Sequence, residues 1–250
     1  MIEYSSVQLV DVPSRQTGHR VIVPPVIGTL GSDAYRSDFE NLASLPEGAV
    51  FMMGDNPALP RMPERPTLAD FYRLRLDPFA VRHMLHSAHR ARELGMGDTV
   101  VLTCLLHDLG VGGLLRAHHG HWGAQMVEPY VDAEVAWAIR HHEVLRFFPD
   151  EAAGYEYPEA YLRFFGPSYT PPAYLHDIYA KARSHPWYPT ARLVTVNDVY
   201  TFDGAAPRLD IGDFEDVIGR HFHQPAEGLG FDNSPAAHMW RTLIWPNNFL

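Results

Sequence analysis

The dipeptide His107-Asp108 follows an apolar run, Leu102 to Leu106, and Gly110 comes directly after it. An apolar helix that ends in this way buries an imidazole beside a carboxylate, and a buried carboxylate must be hydrogen-bonded, paired or bound to a metal. A His-Asp pair alone is weak evidence in a chain with 15 histidines. The apolar run before it makes a metal site the favoured interpretation.

Charge and cysteine content narrow the classes of partner. The 250-residue chain has a formal net charge of −10, which argues against nucleic-acid and anionic-membrane partners because both need a basic surface. Cys104 is the single cysteine, so we expect no disulfide framework, no thiolate zinc site and a cytoplasmic location. We expect no signal peptide and no membrane span, since no apolar run approaches the ~18 residues required.

The first 70 residues predict an appendage to a helical domain. Residues 5–12 and 19–27 alternate and are rich in Val and Ile, which predicts a small β-hairpin. Gly and Pro are frequent over 28–70, which predicts irregular structure with a short helix near 33–44.

Residues 71–250 predict a bundle of helices, so the fold class is mostly α. Asp77, Asp98 and Asp132 are expected to cap the helices that follow them, and Ser234-Pro235 to open the last one. The predicted helices span 78–94, 99–109, 121–130, 133–147, 158–165, 173–184, 189–202, 213–222 and 234–244.

Further histidines lie at helical spacings around the His-Asp pair. His83 and His86 share one helical face, opposite the apolar stripe of that helix, and periodicity does not choose between them. His118, His119 and His121 crowd one connection, where one or two can point inward.

Helical phase selects one histidine and one late carboxylate. His142, unlike His141, continues the apolar stripe of its helix, which is formed by Val131, Val135, Ala138 and Leu145. Asp198 shares a predicted face with Ala191, Val194 and Thr201, and needs a partner in so apolar a segment.

The inward candidates amount to four imidazoles and two carboxylates. A mononuclear site needs about four protein ligands, so this number suits two metal ions bridged by a carboxylate. Nitrogen and oxygen ligands without thiolate suit iron, manganese or zinc.

The motifs from about residue 72 to 222 resemble the HD-domain superfamily, and within it the mixed-valent diiron oxygenases. His83-Met84-Leu85-His86-Ser87-Ala88 is similar to the family's opening His-Ala-Leu-Gln-Thr-Ala. Leu105 to Gly110 matches the family's His-Asp segment closely, and Gly166-Pro167 resembles a Gly-Gly-Pro turn of the family. The run from His185 to Ala191, seven residues before Asp198, is similar to the final ligand segment.

The resemblance implies an HD-domain helical bundle, O2 chemistry at two irons in the Fe(II)/Fe(III) state, and a particular ligand set. It selects His83 over His86 and His119 over its neighbours. It assigns one iron to His83, His107 and Asp198, the other to His119 and His142, and the bridge to Asp108.

Departures from the family bear on the substrate. Arg146 stands where the phosphonate-cleaving branch has a lysine, so we expect it to bind an anionic group. Tyr72 lies one residue from the position of a tyrosine that gates the second iron in that branch. The lysines of myo-inositol oxygenase are replaced by Val111 and Phe202, which argues against inositol.

Two other readings stay open at the level of sequence. Many HD proteins are metal-dependent phosphohydrolases, in which metal-bound water attacks phosphorus, and His83, His107, Asp108 and Asp198 alone would suffice for one. His119 and His142 exceed what a mononuclear hydrolase needs. A degraded scaffold that serves only as a binding module is disfavoured because all six positions hold competent ligands.

Overall fold

The structure is a computed structural model that describes residues 60–113, 118–198 and 207–244. These residues belong to one compact unit, Met53–Asn247, and they are predominantly helical, with a single isolated bridge between Asp150 and Tyr155 in place of a sheet. The mostly α class is thus confirmed for this part of the chain. The predicted hairpin over 5–12 and 19–27 and the helix near 33–44 lie outside the described residues.

The helices follow one another with short connections. In chain order the α-helices are α1 (Leu68–Leu74), α2 (Pro78–Glu93), α3 (Asp98–Leu106), α4 (Leu109–Gly113), α5 (His119–Val127), α6 (Ala133–Leu145), α7 (Glu159–Phe165), α8 (Ala173–Arg183), α9 (Tyr188–Asn197), α10 (Glu215–His221) and α11 (Ala237–Ile244). Short 3-10 helices span Glu128–Tyr130, Glu151–Ala153 and Ile211–Phe214. No helix of the described stretches is long and apolar enough to cross a membrane.

The predicted starts of α2 and α6 are confirmed, and two other predicted starts are wrong. The Asp77 carboxylate accepts hydrogen bonds from the backbone amides of Phe79 and Ala80, and Pro78 occupies the first turn. Gly97, not Asp98, is the N-cap of α3, and the Asp98 carboxylate instead pairs with Arg220 at 2.8 Å.

The last helix starts later than the Ser234-Pro235 pair suggests. It begins at Ala237, because the Ser234 hydroxyl forms a 2.6 Å hydrogen bond with the hydroxyl of Tyr130 and does not cap the helix. The Tyr130 hydroxyl also donates to Asp232 at 2.9 Å. Side-chain contacts with a distant part of the chain have replaced the predicted cap.

Two predicted helices end early, both at site residues. The helix predicted over 99–109 stops at Leu106, and α4 begins at Leu109, so His107 and Asp108 lie in the break. The helix predicted over 189–202 stops at Asn197, and Asp198 has φ −75° and ψ 73°, which is not helical. Both carboxylates of the site therefore lie where a helix ends.

The core surrounds α3, which is buried from Val100 to Leu106 and packs against α2, α6, α9 and α10. The predicted inward stripe of α6 is confirmed, since Val135, Ala138, His142 and Leu145 are buried. His83 is buried although its predicted face lies opposite the apolar stripe of Leu85 and Ala88, because helices cover α2 on more than one side.

Candidate metal centre

Six side chains from five parts of the bundle meet in its interior. Each is at most 5% exposed: His83 on α2, His107 and Asp108 in the break after α3, His119 at the start of α5, His142 in the last turn of α6, and Asp198 after α9. These are the six residues predicted as ligands. The structure brings all of them together, and their buried imidazoles and carboxylates can hold a metal ion.

One half of the cluster contains His83, His107, Asp198 and one oxygen of Asp108. The Nε2 atoms of His83 and His107 are 3.1 Å apart. His83 Nε2 lies 3.0 Å from Asp198 Oδ1 and 3.5 Å from Asp108 Oδ2. The distances from His107 Nε2 to the same two oxygens are 3.9 and 3.7 Å.

The other half contains His119, His142 and the second oxygen of Asp108. The two Nε2 atoms are again 3.1 Å apart. Asp108 Oδ1 lies 3.3 Å from His119 Nε2 and 3.6 Å from His142 Nε2. The carboxylate of Asp108 thus presents one oxygen to each pair of imidazoles. The halves adjoin each other, since ligand atoms of His107, His142 and Asp198 also lie within 4.8 Å of one another.

The spacing of the imidazoles fits metal ligands. Nitrogens bound at about 2.1 Å to one ion, at angles of about 90 to 110°, lie about 3.0–3.4 Å apart. Both separations of 3.1 Å fall in this interval.

The ring orientations fit as well. The Nδ1–H groups of His107 and His142 donate to the carbonyls of Cys104 and Ile139, at 2.8 and 2.6 Å. Because a carbonyl only accepts, each Nδ1 carries a proton, and Nε2 is the nitrogen that would bind a metal, in its deprotonated form.

The charges of the cluster point to a cation as well. Asp198 Oδ1 is buried and has no hydrogen-bond partner among the described residues, although His83 Nε2 is 3.0 Å away. Burial raises the pKa of the Asp198 carboxyl, but the imidazoles of His107 and His83 outweigh it and hold the pKa well below its usual range. Burial likewise raises the pKa of Asp108, and the neighbouring imidazoles of His107, His142 and His119 lower it further than burial raises it. Both carboxylates are therefore anionic; a protonated His107 offsets one of the two negative charges, and a bound cation would offset the other.

Two glycines let the backbone come close enough to assemble the second half. A Cβ on Gly110 would lie 2.6 Å from the carbonyl oxygen of His119, and one on Gly120 would lie 2.8 Å from that of Ile139. Either contact is too short for a side chain, so residues larger than glycine would push α5 away from its neighbours. The position of Gly110 suggested the end of a helix, but Gly110 lies inside α4. There it allows α4 to pack against the start of α5.

The other histidines singled out by sequence lie outside the cluster. His118 is exposed, with φ 54°, and His121 is exposed and contacts Arg140 at 2.8 Å. The imidazole of His141 stacks on Trp137 with centroids 4.1 Å apart. His86 is partly buried and contributes to none of the metal-ligand groups found among the described residues.

The two predicted substrate-binding residues line different cavities. The Arg146 side chain is 16% exposed and lies 3.6 Å from Glu143, with its guanidinium over the rings of Phe147 and Tyr161. The Tyr72 hydroxyl is buried and donates to the carbonyl of Leu105. Burial, and then the charge of Asp108, raise the pKa of Tyr72.

Glu143 is a part of the site that sequence reasoning missed. Its Oε1 lies 3.6 Å from Nδ1 of His119, and its Oε2 accepts from the backbone amide of Gly120 at 3.3 Å. A carboxylate beside the outer nitrogen of a metal-binding imidazole orients the ring and favours the Nδ1–H tautomer. The only signal in the sequence was its place next to His142.

No protein-family model matches the chain, and no curated protein matches it significantly.

Proposed function

We propose that this protein is an O2-dependent non-heme diiron oxygenase of the HD-domain type. It would act on a C–H bond of a small, polar, anionic substrate, with C–P or C–C cleavage as the possible outcomes. The observation that carries the proposal is the carboxylate of Asp108, whose two oxygens each face a pair of imidazoles at 3.3–3.7 Å.

The donor set supports two ions of an imidazole-binding metal. His83, His107, Asp198 and Asp108 Oδ2 would hold the first ion, and His119, His142 and Asp108 Oδ1 the second. Four imidazoles with two carboxylates and no thiolate suit iron, with manganese and zinc as the alternatives. Three protein ligands on the second ion would leave positions open for substrate and O2.

The chain contributes geometry, charge and exclusion of water. When bound, the iron pair supplies the electrons that activate O2 and the means to break a substrate C–H bond. Burial of all six ligands keeps water from the site. Arg146 supplies a positive charge beside the second half of the cluster, 3.6 Å from Glu143, and so suits an anionic substrate group. A cytoplasmic location belongs to the same proposal.

Metal analysis and electron paramagnetic resonance test the proposal. Protein purified with iron and partly oxidised should contain two irons per chain and give the spin-one-half signal of a coupled Fe(II)/Fe(III) pair. One zinc or manganese per chain, with phosphatase activity and no O2 uptake, would refute the oxygenase.

The alternative is a metal-dependent phosphohydrolase. The first half of the cluster alone favours it, because its two histidines and two aspartates suffice for a single ion that activates water. Removal of His119 separates the two functions, since a hydrolase built on the first half would keep its metal and its activity.

A further inference from the structure

A cavity of about 790 Å³ lies next to the second half of the metal cluster, although none of the six candidate ligands is among its lining residues. Arg146 and Glu143, whose side chains are 16% and 17% exposed, line the part nearest the cluster, called here the deep end. Glu143 Oε1 is 3.6 Å from the His119 ring. The cavity therefore reaches within one side chain of a candidate metal ligand. Its size is in the range of pockets that bind ligands of drug size, roughly 300–1,000 Å³.

The charge of the cavity differs from that of the whole chain. The chain has a net charge of −10, yet Arg140 and Arg146 both line this cavity, and Glu143 is the one carboxylate among its described lining residues. Glu143 lies 3.6 Å from Arg146, and Arg140 pairs at 3.8 Å with Glu128, which does not line the cavity. In the lining itself two guanidinium groups face one carboxylate, which favours an anionic group on the ligand.

The outer wall of the cavity is aromatic. Phe165 and Tyr169 stack with ring centroids 4.9 Å apart, and Tyr174 and Trp122 line the same space. Phe165 and Tyr174 are 40% and 51% exposed, which is high for large apolar side chains. Clustered, exposed aromatic groups around a concavity mark binding sites, because a flat ligand can cover them and stack on them.

We propose that this cavity is the substrate site and that it takes an organic oxyanion bearing an aromatic group. The phosphonate or carboxylate lies at the deep end beside Arg146, and the ring lies along Phe165 and Tyr169. Because this names the substrate class of the proposed oxygenase, it rests on that function. The binding step, however, can be measured without turnover.

Calorimetric titration of the metal-loaded protein tests the inference. Benzylphosphonate and methylphosphonate are the matched probes, and phenylacetate distinguishes a carboxylate from a phosphonate site. We expect benzylphosphonate to bind at least about tenfold more tightly than methylphosphonate, because only the former buries a ring against the aromatic wall. Equal affinities for the two phosphonates, or no binding of any aromatic probe, would overturn the inference.

Variants assign the binding to this cavity. Tyr169→Ala should reduce the preference for the aromatic phosphonate at least about threefold and leave the affinity for methylphosphonate within about twofold. The control is Phe79→Ala, which removes an exposed ring elsewhere and should change neither affinity. Arg146→Gln should weaken both phosphonates about tenfold or more.

A second cavity, of about 610 Å³, lies beside Tyr72 and is also lined by arginines, including Arg82. If Arg82→Gln weakens binding and Arg146→Gln does not, the ligand binds there and the inference is wrong. Tight aromatic binding in a protein that forms no iron pair would leave the site assignment standing and refute the oxygenase. An iron pair with O2 uptake but no aromatic preference would support the oxygenase and refute the site assignment.

Discussion

The Nε2 atoms of His119 and His142 lie 3.1 Å apart, although 23 positions separate these residues in the chain. With both protons on Nδ1, as the Ile139 carbonyl and the Glu143 carboxylate favour, the two Nε2 lone pairs face and repel each other. A shared metal ion turns the same arrangement into two bonds. The Nδ1–H group of His142 is held by the Ile139 carbonyl, which fixes the inward direction of its lone pair.

Replacement of His119 should therefore remove one of two metals. In His119→Ala the first half of the cluster keeps its four ligand atoms, so we expect about one metal per chain in place of two and loss of oxygenase activity. Metal content measured by mass spectrometry gives the answer. The matched control is His118→Asn, which alters an exposed neighbour while tolerating its positive φ. Retention of both metals by His119→Ala would show that the second half binds none.

Replacement of Glu143 should weaken the second metal without removing a ligand. Glu143→Gln keeps the size of the side chain but loses the charge that favours the Nδ1–H tautomer of His119. Loss of such a partner typically lowers metal affinity about 10- to 100-fold. Competition with a chelator measures the affinity of each site.

The control for Glu143 is Glu128→Gln, since Glu128 is exposed and pairs with Arg140 at 3.8 Å. Its metal affinities should equal those of the unaltered protein. Equal affinities in Glu143→Gln as well would mean that Glu143 does not position His119.

Periodicity predicted the features that depend on neighbours along one helix. The cap at Asp77 and the stripe that turns His142 inward are properties of single helices, and the structure has both. The resemblance supplied what periodicity did not, namely the choice of His83 and His119. The structure buries both of them beside the carboxylate of Asp108.

Features that depend on contacts between helices could not be predicted in this way. The break at His107-Asp108 goes with the close approach of Gly110 to the His119 backbone, which no local pattern records. The helical conformation ends before Asp198, and the Asp198 carboxylate contacts His83, which is far away in the sequence. The contact of Glu143 with His119 likewise joins two helices, so its role stayed hidden.

Metal binding should release a proton at neutral pH. Burial lowers the pKa of His107, but Asp108 and Asp198 outweigh it and raise the pKa to about 9. His107 is therefore protonated at pH 7 in the metal-free protein, and Nε2 must lose its proton before it can bind a metal. Affinity for the first metal should rise about tenfold per pH unit up to about pH 9.

His119 should contribute no proton, because burial and the neighbouring His142 lower its pKa below the usual value. Calorimetry in two buffers of different ionisation enthalpy counts the protons released. An affinity that stays constant between pH 7 and pH 8 would contradict a protonated His107.

Arg192 should contribute strongly to the stability of the bundle near the site. Its side chain is buried on α9, where Nη1 donates to the Leu145 carbonyl at 3.0 Å and Nε donates to the Tyr188 hydroxyl at 3.1 Å, with Asp150 at 3.7 Å. Arg192→Met would leave the Leu145 carbonyl and the Asp150 carboxylate without this cation. We expect the free energy of unfolding to fall by about 2–4 kcal/mol.

Urea unfolding of the metal-free protein measures that loss apart from any effect of metal binding. The matched variant is Arg163→Met, which removes an 80% exposed arginine that pairs with Glu159 within α7. Exposed pairs of this kind contribute about 0.3–0.5 kcal/mol, so the two variants should differ severalfold. Similar losses would show that Arg192 does not hold α9 against α6. A loss confined to Arg192→Met, together with weaker metal binding, would mean that this contact also fixes the position of Asp198 at the end of α9.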